Sequence, residues 1–223
     1  MKRLIISDLH LGAAFTREKL LISLLENKEY DELILAGDII EFLKVPYFTE
    51  ESKKVFEVLN NVTVPIIYVV GNHDKALESF IDGSIGNISF TKRYEFEENN
   101  RTFVVEHGDK YDWSLWKSRY FMGFIAFIGD VLERVFKWNS NKFVHWFMSR
   151  EKRIKNIRSI MKYNPGCDVY IMGHTHNPEV LIWVDLNENI RTYVNTGDWV
   201  EHATYVMIEN GQVRLKNYLK EVR

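Results

Sequence analysis

The apolar stretch "VYIMGHTHNP", residues 169–178, ends in two imidazoles two residues apart. His174 and His176 would be awkward in a core, because each ring needs partners for two nitrogens. They are natural ligands for a divalent cation. The same juxtaposition recurs along the chain. "LIISDLH" ends in Asp8 and His10, and "ELILAGDIIE" in Asp38 and Glu41. "PIIYVVGNHD" ends in Asn72, His73 and Asp74, and "TFVVEHGD" in His107 and Asp109. Asp8, His10, Asp38, Asn72, His107, His174 and His176 supply carboxylate, imidazole and amide donors with no thiolate. Seven groups are too many for one ion and suit two ions that share a carboxylate. Oxygen and nitrogen donors favour Mn, Fe or Zn over a structural zinc site. Two metals about 3.5–4 Å apart form the clamp of phosphoester hydrolysis, in which a bridging hydroxide attacks while both ions absorb charge on the phosphate. Mn²⁺ is the first expectation, with Fe and Zn as alternatives.

Each fragment has an ordinary reading as well. A strand-end Asp often caps the next helix, and Gly-Asn-His-Asp is turn chemistry. Turns do not call for histidine at four of five strand ends, however, so the ensemble is read as a site. Asp109 is read equally as a helix cap. In "NTGDWVEH", Asp198 and His202 are read as turn or core-edge residues at least as readily as site residues. His145 is read as packing within a helical stretch, and the single cysteine, Cys167, as a buried packing residue.

The elements that must position these residues follow from periodicity. Residues 4–7 form a first strand, and "REKLLISLLENK" has helical spacing behind a possible N-cap at Thr16. "ELILAGD", the helix "ESKKVFEVLNN" and "PIIYVVGNHD" continue the alternation, which predicts a largely parallel sheet flanked by helices. Ligands bind at the carboxyl ends of strands in such sheets. "FTKRYEFEENNRTFVVEHGD" predicts antiparallel strands turning at Asn99-Asn100. "DVYIMG", "EVLIWV", "IRTYVNTG" and "TYVMIENGQVRLKNY" predict later strands, the last with a hairpin turn at Asn210-Gly211.

Residues 112–162 break the pattern with helical periodicity and four of the six tryptophans, and are read as a helical insertion in a single domain spanning 1–223. Between 112 and 158, ten Lys/Arg stand against four Asp/Glu, an excess of about +6, leaving the remainder near −8. A basic, aromatic segment of this kind suits an interfacial helix or apolar lid meeting anionic lipid. It equally suits a helical hairpin packed on its own core or on a dimer partner.

Composition bounds the class. With 223 residues, 46% hydrophobic and 27% charged, the chain is globular rather than disordered, and its net charge of −2 argues against a dedicated nucleic-acid binder. One cysteine excludes an internal disulfide and fits a reducing compartment. The N-terminal apolar run is too short for a signal peptide. "YFMGFIAFIGDVLERVFKW" is interrupted by Asp130 and Glu133, short of the roughly 20 apolar residues of a spanning helix. A cytoplasmic protein is expected, with peripheral membrane contact through the insertion.

In order, "DLH", "GD", "GNHD", "HGD" and "GHTH", spanning residues 8–176, resemble the signature of the calcineurin-like metallophosphoesterases. The resemblance implies an αββα sandwich of two mixed sheets flanked by helices. It implies one divalent ion held by Asp8, His10 and His176, a second by Asn72, His107 and His174, and Asp38 bridging them. It places His73 near the scissile phosphate, protonating the leaving oxygen or stabilising the transition state. Glu41 and Asp74 would orient His73 or the ligand histidines. The helical insertion between "HGD" and "GHTH", followed by "GDW", is similar to the UDP-2,3-diacylglucosamine pyrophosphatases of lipid A synthesis. That likeness implies a nucleotide-lipid substrate and release of UMP. Many of those enzymes carry Arg where this chain has His73, whereas His is usual in broader phosphoesterases. A general phosphodiesterase or phosphatase acting on soluble nucleotides or small esters is the alternative. A non-catalytic scaffold is the third reading, disfavoured because the ligand set and His73 are complete.

Overall fold

The computed structural model describes residues 1–13, 15–43, 46–111, 157 and 160–222. The elements run β1 (Lys2–Ile6), α1 (Glu18–Asn27), β2 (Glu32–Ala36), α2 (Glu50–Asn61), β3 (Ile66–Val69), a 3₁₀ turn (Lys75–Phe80), β4 (Ser84–Ile85), β5 (Ile88–Thr91), β6 (Arg93–Glu98), β7 (Arg101–Glu106) and a second 3₁₀ turn (Asp109–Tyr111). They continue with β8 (Val169–Met172), β9 (Glu179–Val184), β10 (Ile190–Asn195), β11 (Thr204–Glu209), β12 (Gln212–Asn217) and a short α3 (Tyr218–Glu221).

Two mixed sheets form. The first has the order β12-β11-β1-β2-β3-β5-β4 and the second β6-β7-β8-β10-β9. In the first, β1, β2, β3 and β5 are parallel; in the second, β7, β8 and β10 are. The central strands are apolar runs rather than alternating ones, since both of their faces are covered. Every residue of β2 and β8 is buried. Ile5, Ile34, Val69, Phe103, Ile171 and Val206 fill the space between the sheets. Leu21, Leu24, Val55 and Leu59 of α1 and α2 cover the outer face of the first sheet. Ile157, Ile160 and Met161 pack on the outer face of the second, against Tyr170 and Tyr193. This is the expected αββα layering. Most of the insertion predicted over 112–162 lies outside the described residues, including His145; residues 157 and 160–162 are helical. Among the described residues no helix is long and apolar enough to cross a membrane.

Three local outcomes bear on the sequence reading, one in agreement and two not. Asn99-Asn100 and Asn210-Gly211 turn where predicted, all four with φ between 50° and 72°, as two-residue hairpins require. The stretch read as beginning at Phe90 is split: Phe90 and Thr91 finish β5 in the first sheet, and after Lys92 the chain enters the second as β6. Thr16 is not the cap of α1. Arg17 holds that position without a side-chain bond to the helix end, and the Thr16 hydroxyl donates to the carbonyls of Leu9 and His10 instead.

The better cap is on α2. The Thr49 hydroxyl accepts from the Ser52 N–H, and the Ser52 hydroxyl from the Thr49 N–H, each at 3.0 Å, a reciprocal capping box. Both hydroxyls also donate to the buried carboxylate of Glu18 on α1, at 2.7 Å from Thr49. Thr49→Ala is expected to lower unfolding free energy by about 1–2 kcal/mol in denaturant titration, because it uncaps α2 and removes one of Glu18's donors.

Candidate metal centre

The carboxyl ends of β1, β2 and β3 in one sheet meet those of β7 and β8 in the other. Asp8 Oδ1 lies 3.2 Å from His176 Nε2, whose Nε2 lies 3.2 Å from His10 Nε2. His107 Nε2 is 3.0 Å from both Asp38 Oδ2 and Asn72 Oδ1 and 3.2 Å from His174 Nδ1. Among the described residues the chain thus gathers two sets, Asp8–His10–His176 and Asp38–His107–His174, each with ligand atoms within 4.8 Å of one another, and a third group as close, His10–Glu41–His73, which shares His10 with the first set. Asn72 joins the second through its amide oxygen. Asp8, His10, Asp38 and His107 are buried. Buried carboxylates facing imidazole nitrogens, with no sulfur, suit a borderline divalent cation.

Backbone geometry holds these atoms together. Asp8, His10, Asp38, His174 and His176 all have φ between 49° and 66°, a region that costs non-glycine residues energy and persists where surrounding structure enforces it. The enforcing bonds run between loops. Asp8 N–H donates to Gly37 O, and His10 N–H to Asp38 O, both at 3.0 Å. His174 N–H donates to the Asp8 carboxylate at 3.0 Å and His73 N–H to Asp38 Oδ1 at 2.8 Å. Two glycines permit the approach. A Cβ on Gly173 would overlap the Asp8 carboxylate and the Ser7 hydroxyl, and one on Gly71 would overlap Asp38.

The family model for calcineurin-like phosphoesterases matches residues 1–178, which includes every residue of both sets. The chain belongs to the calcineurin-like phosphoesterase family. It is accordingly a metal-dependent hydrolase of phosphoester bonds. No curated protein matches it in the sequence search. Among solved structures it is similar to a single-substitution variant of Vps29 from Entamoeba histolytica, with 13% identity, 97% of this chain and 98% of that one covered, and a TM-score of 0.52. Vps29 from Chaetomium thermophilum is similar at 12% identity, with 97% and 94% covered and a TM-score of 0.50. Yfce, a phosphoesterase from E. coli, gives 18% identity, 94% and 89% covered, and a TM-score of 0.49. The Vps29 likenesses bear on the fold.

Around the two sets, the phosphoesterase places a second layer. Glu41 accepts from His73 Nδ1 at 2.8 Å with one oxygen and faces His10 Nδ1 at 3.1 Å with the other. The Nε2 atoms of both rings are thereby turned toward the centre, His73 Nε2 lying 3.7 Å from Asp38 Oδ2. His107 Nδ1 donates to Ala36 O at 3.1 Å, which aims its Nε2 inward. Asp74, expected to orient an imidazole, accepts instead from the N–H groups of Ile39, Ile40 and Gly71, and so clasps the loops that carry Asp38 and Asn72. Asp109 opens a 3₁₀ turn outside both sets. Asp198 takes the turn role, accepting from the N–H groups of Val200, Glu201 and His202 and from His202 Nδ1. Cys167 is buried, and its burial pushes the thiol up to about 12. Sequence reasoning passed over Ser7, Asn195 and Thr196, all buried. The Ser7 hydroxyl bonds the Asp8 carboxylate and the Thr196 hydroxyl.

Charge explains the tolerance for burial. Desolvation pushes Asp38 up, but His107, His73 and His10 outweigh it and hold the carboxyl well below its usual range. Burial works against protonated His107, yet Asp38 and Asp8 carry it up to about 10. Against the same penalty, Asp38 and Glu41 carry His73 up to about 9. Histidines raised from 6.5 stabilise the fold fully below that pH and lose the contribution as pH rises through 9–10. Metal-free protein is therefore expected to melt at progressively lower temperature from pH 7 to 10 in EDTA. Added Mn²⁺ should raise the melting temperature more at pH 9 than at pH 6, because cations compete with these protons.

Proposed function

We propose that this phosphoesterase hydrolyses a phosphodiester or pyrophosphate bond at a centre of two divalent cations. Asp8, His10 and His176 hold one cation, Asn72, His107 and His174 the other, and Asp38 serves both. The observation that carries the reading is the convergence of the two donor sets, with Asp38 belonging to one and receiving the backbone of the loop beside it. The cations supply Lewis acidity at the phosphoryl oxygens and acidify attacking water. Mn²⁺ is the ion to test first. His73 supplies the proton: Glu41 fixes its Nδ1–H, leaving Nε2 facing the cleft, where it protonates the leaving oxygen or steadies charge on the phosphoryl group.

For the substrate we propose a nucleotide-lipid pyrophosphate of the UDP-2,3-diacylglucosamine kind, met at a membrane surface. The support is the sequence of 112–158, basic and rich in Trp and Phe beside the metal-binding motifs, as an interface with anionic lipid would require. The soluble-ester alternative is favoured by His73 itself, the residue usual in broader phosphoesterases.

The test sets UDP-2,3-diacylglucosamine beside bis-p-nitrophenyl phosphate with Mn²⁺. UMP release with weak diester turnover is expected, and His73→Ala should lower kcat by about 10²–10⁴-fold with Mn²⁺ uptake intact. Diester cleavage without UMP release would overturn the lipid substrate and leave the centre standing. Loss of neither activity in His73→Ala would remove His73 from the chemistry.

A further inference from the structure

We infer that Asn195 is a positioning residue for both cations, acting through the loop 173–176; the inference rests on the ligand reading above. Asn195 is the last residue of β10, beyond the stretch matched by the family model, and is completely buried. Its partner in the parallel ladder is Met172, the last residue of β8. Backbone pairing carries one step further, with Thr196 N–H donating to Met172 O at 2.9 Å. The Asn195 side chain then takes over where the backbones diverge. Its Nδ2 donates to Gly173 O at 2.7 Å and to Thr175 Oγ1 at 3.0 Å. Its Oδ1 accepts from Gly197 N–H at 2.9 Å. One amide therefore grips the loop at two points and is itself fixed from the other side.

That loop needs a grip. His174 and His176 stand at φ 66° and 55°, and neither would hold that conformation unaided. Among the described residues, 173–176 is also the loop that sends a histidine to each set: His174 to His107, and His176 to Asp8 and His10. Displacing it moves a ligand of each set at once, whereas the loop after β1 carries ligands of the first set only, Asp8 and His10. Aspartate is isosteric with asparagine but has no N–H to donate. Asn195→Asp keeps an acceptor for Gly197 and loses both donations to the loop.

Mn²⁺ binding is measured by titration calorimetry on wild type, Asn195→Ala, Asn195→Asp and the buried core variant Val206→Ala, with folding checked by circular dichroism. Both Asn195 variants are expected to bind both ions about 10–100-fold more weakly. Val206→Ala is expected to lose melting temperature and keep its affinity, which separates positioning from general destabilisation. If Asn195→Ala does not fold, Asn195→Asp decides. Two ions bound with wild-type affinity by a folded Asn195 variant, or weakening of one ion alone, overturns the inference while the centre stands. A wild type that takes up no divalent cation overturns the centre and the inference with it.

Discussion

Asp8 and Asp38 are ionised carboxylates with almost no access to water, and most of this end of the molecule answers to that fact. Removing a carboxylate from solvent costs several kcal/mol unless charge and hydrogen bonds replace what water gave. Here the replacement comes from imidazoles and backbone N–H groups. His176 stands against Asp8, His107 and His73 against Asp38, and the N–H groups of His174 and His73 donate to the two carboxylates. Glu41 repeats the arrangement one layer out, its two oxygens divided between His10 and His73. Two divalent cations would relieve the same charge more fully, which is why the cluster reads as a binding site and not as a structural salt bridge.

The sandwich meets this demand by bringing the carboxyl ends of parallel strands from two sheets to one place. Neither sheet holds a complete set. Asp8, His10, Asp38 and Asn72 come from the first, His107, His174 and His176 from the second, so each set straddles the core of Ile5, Ile34, Val69, Phe103 and Ile171. Strands buried on both faces shift little, and ligand residues one to four positions past the strand ends leave short levers between them and the ligand atoms. The strained backbone at Asp8, His10, Asp38, His174 and His176 lies in those levers. The bonds between loops, including the Asp74 clasp and the Asn195 amide, maintain it.

Much of this was legible in the sequence because two rules reinforced each other. Apolar runs marked the strands, and the residue types just past them marked the chemistry; the hairpin turns at Asn99-Asn100 and Asn210-Gly211 followed from their dipeptides alone. What escaped depended on neighbours distant in sequence. Lys92 alone separates the end of one sheet's strand, Thr91, from the start of the other's, Arg93, with no turn residue to mark the change. Thr16 has the chemistry of a cap and spends it on the loop before the helix. Ser7 and Thr196, 189 positions apart, meet at the back of Asp8, and each alone reads as an ordinary strand-end hydroxyl. Asn195 occupied the position that had flagged the other strand ends, but its motif drew attention to Asp198 and His202. Residues 112–156, on which the choice of substrate rests, contribute composition only.

The spread of the centre along the chain has a consequence for synthesis. Chains fold from the N-terminus as they are made, at about 5–20 residues per second. Asp8 leaves the ribosome well before the imidazole that stands against it, His176, which comes 168 positions later. In the interval β1 can pair with β2, and β2 with β3, while Asp8 still lacks its His176 partner. This pole of the sandwich must stay hydrated until β8 and the loop after it arrive, with β9 to β12 still to be made.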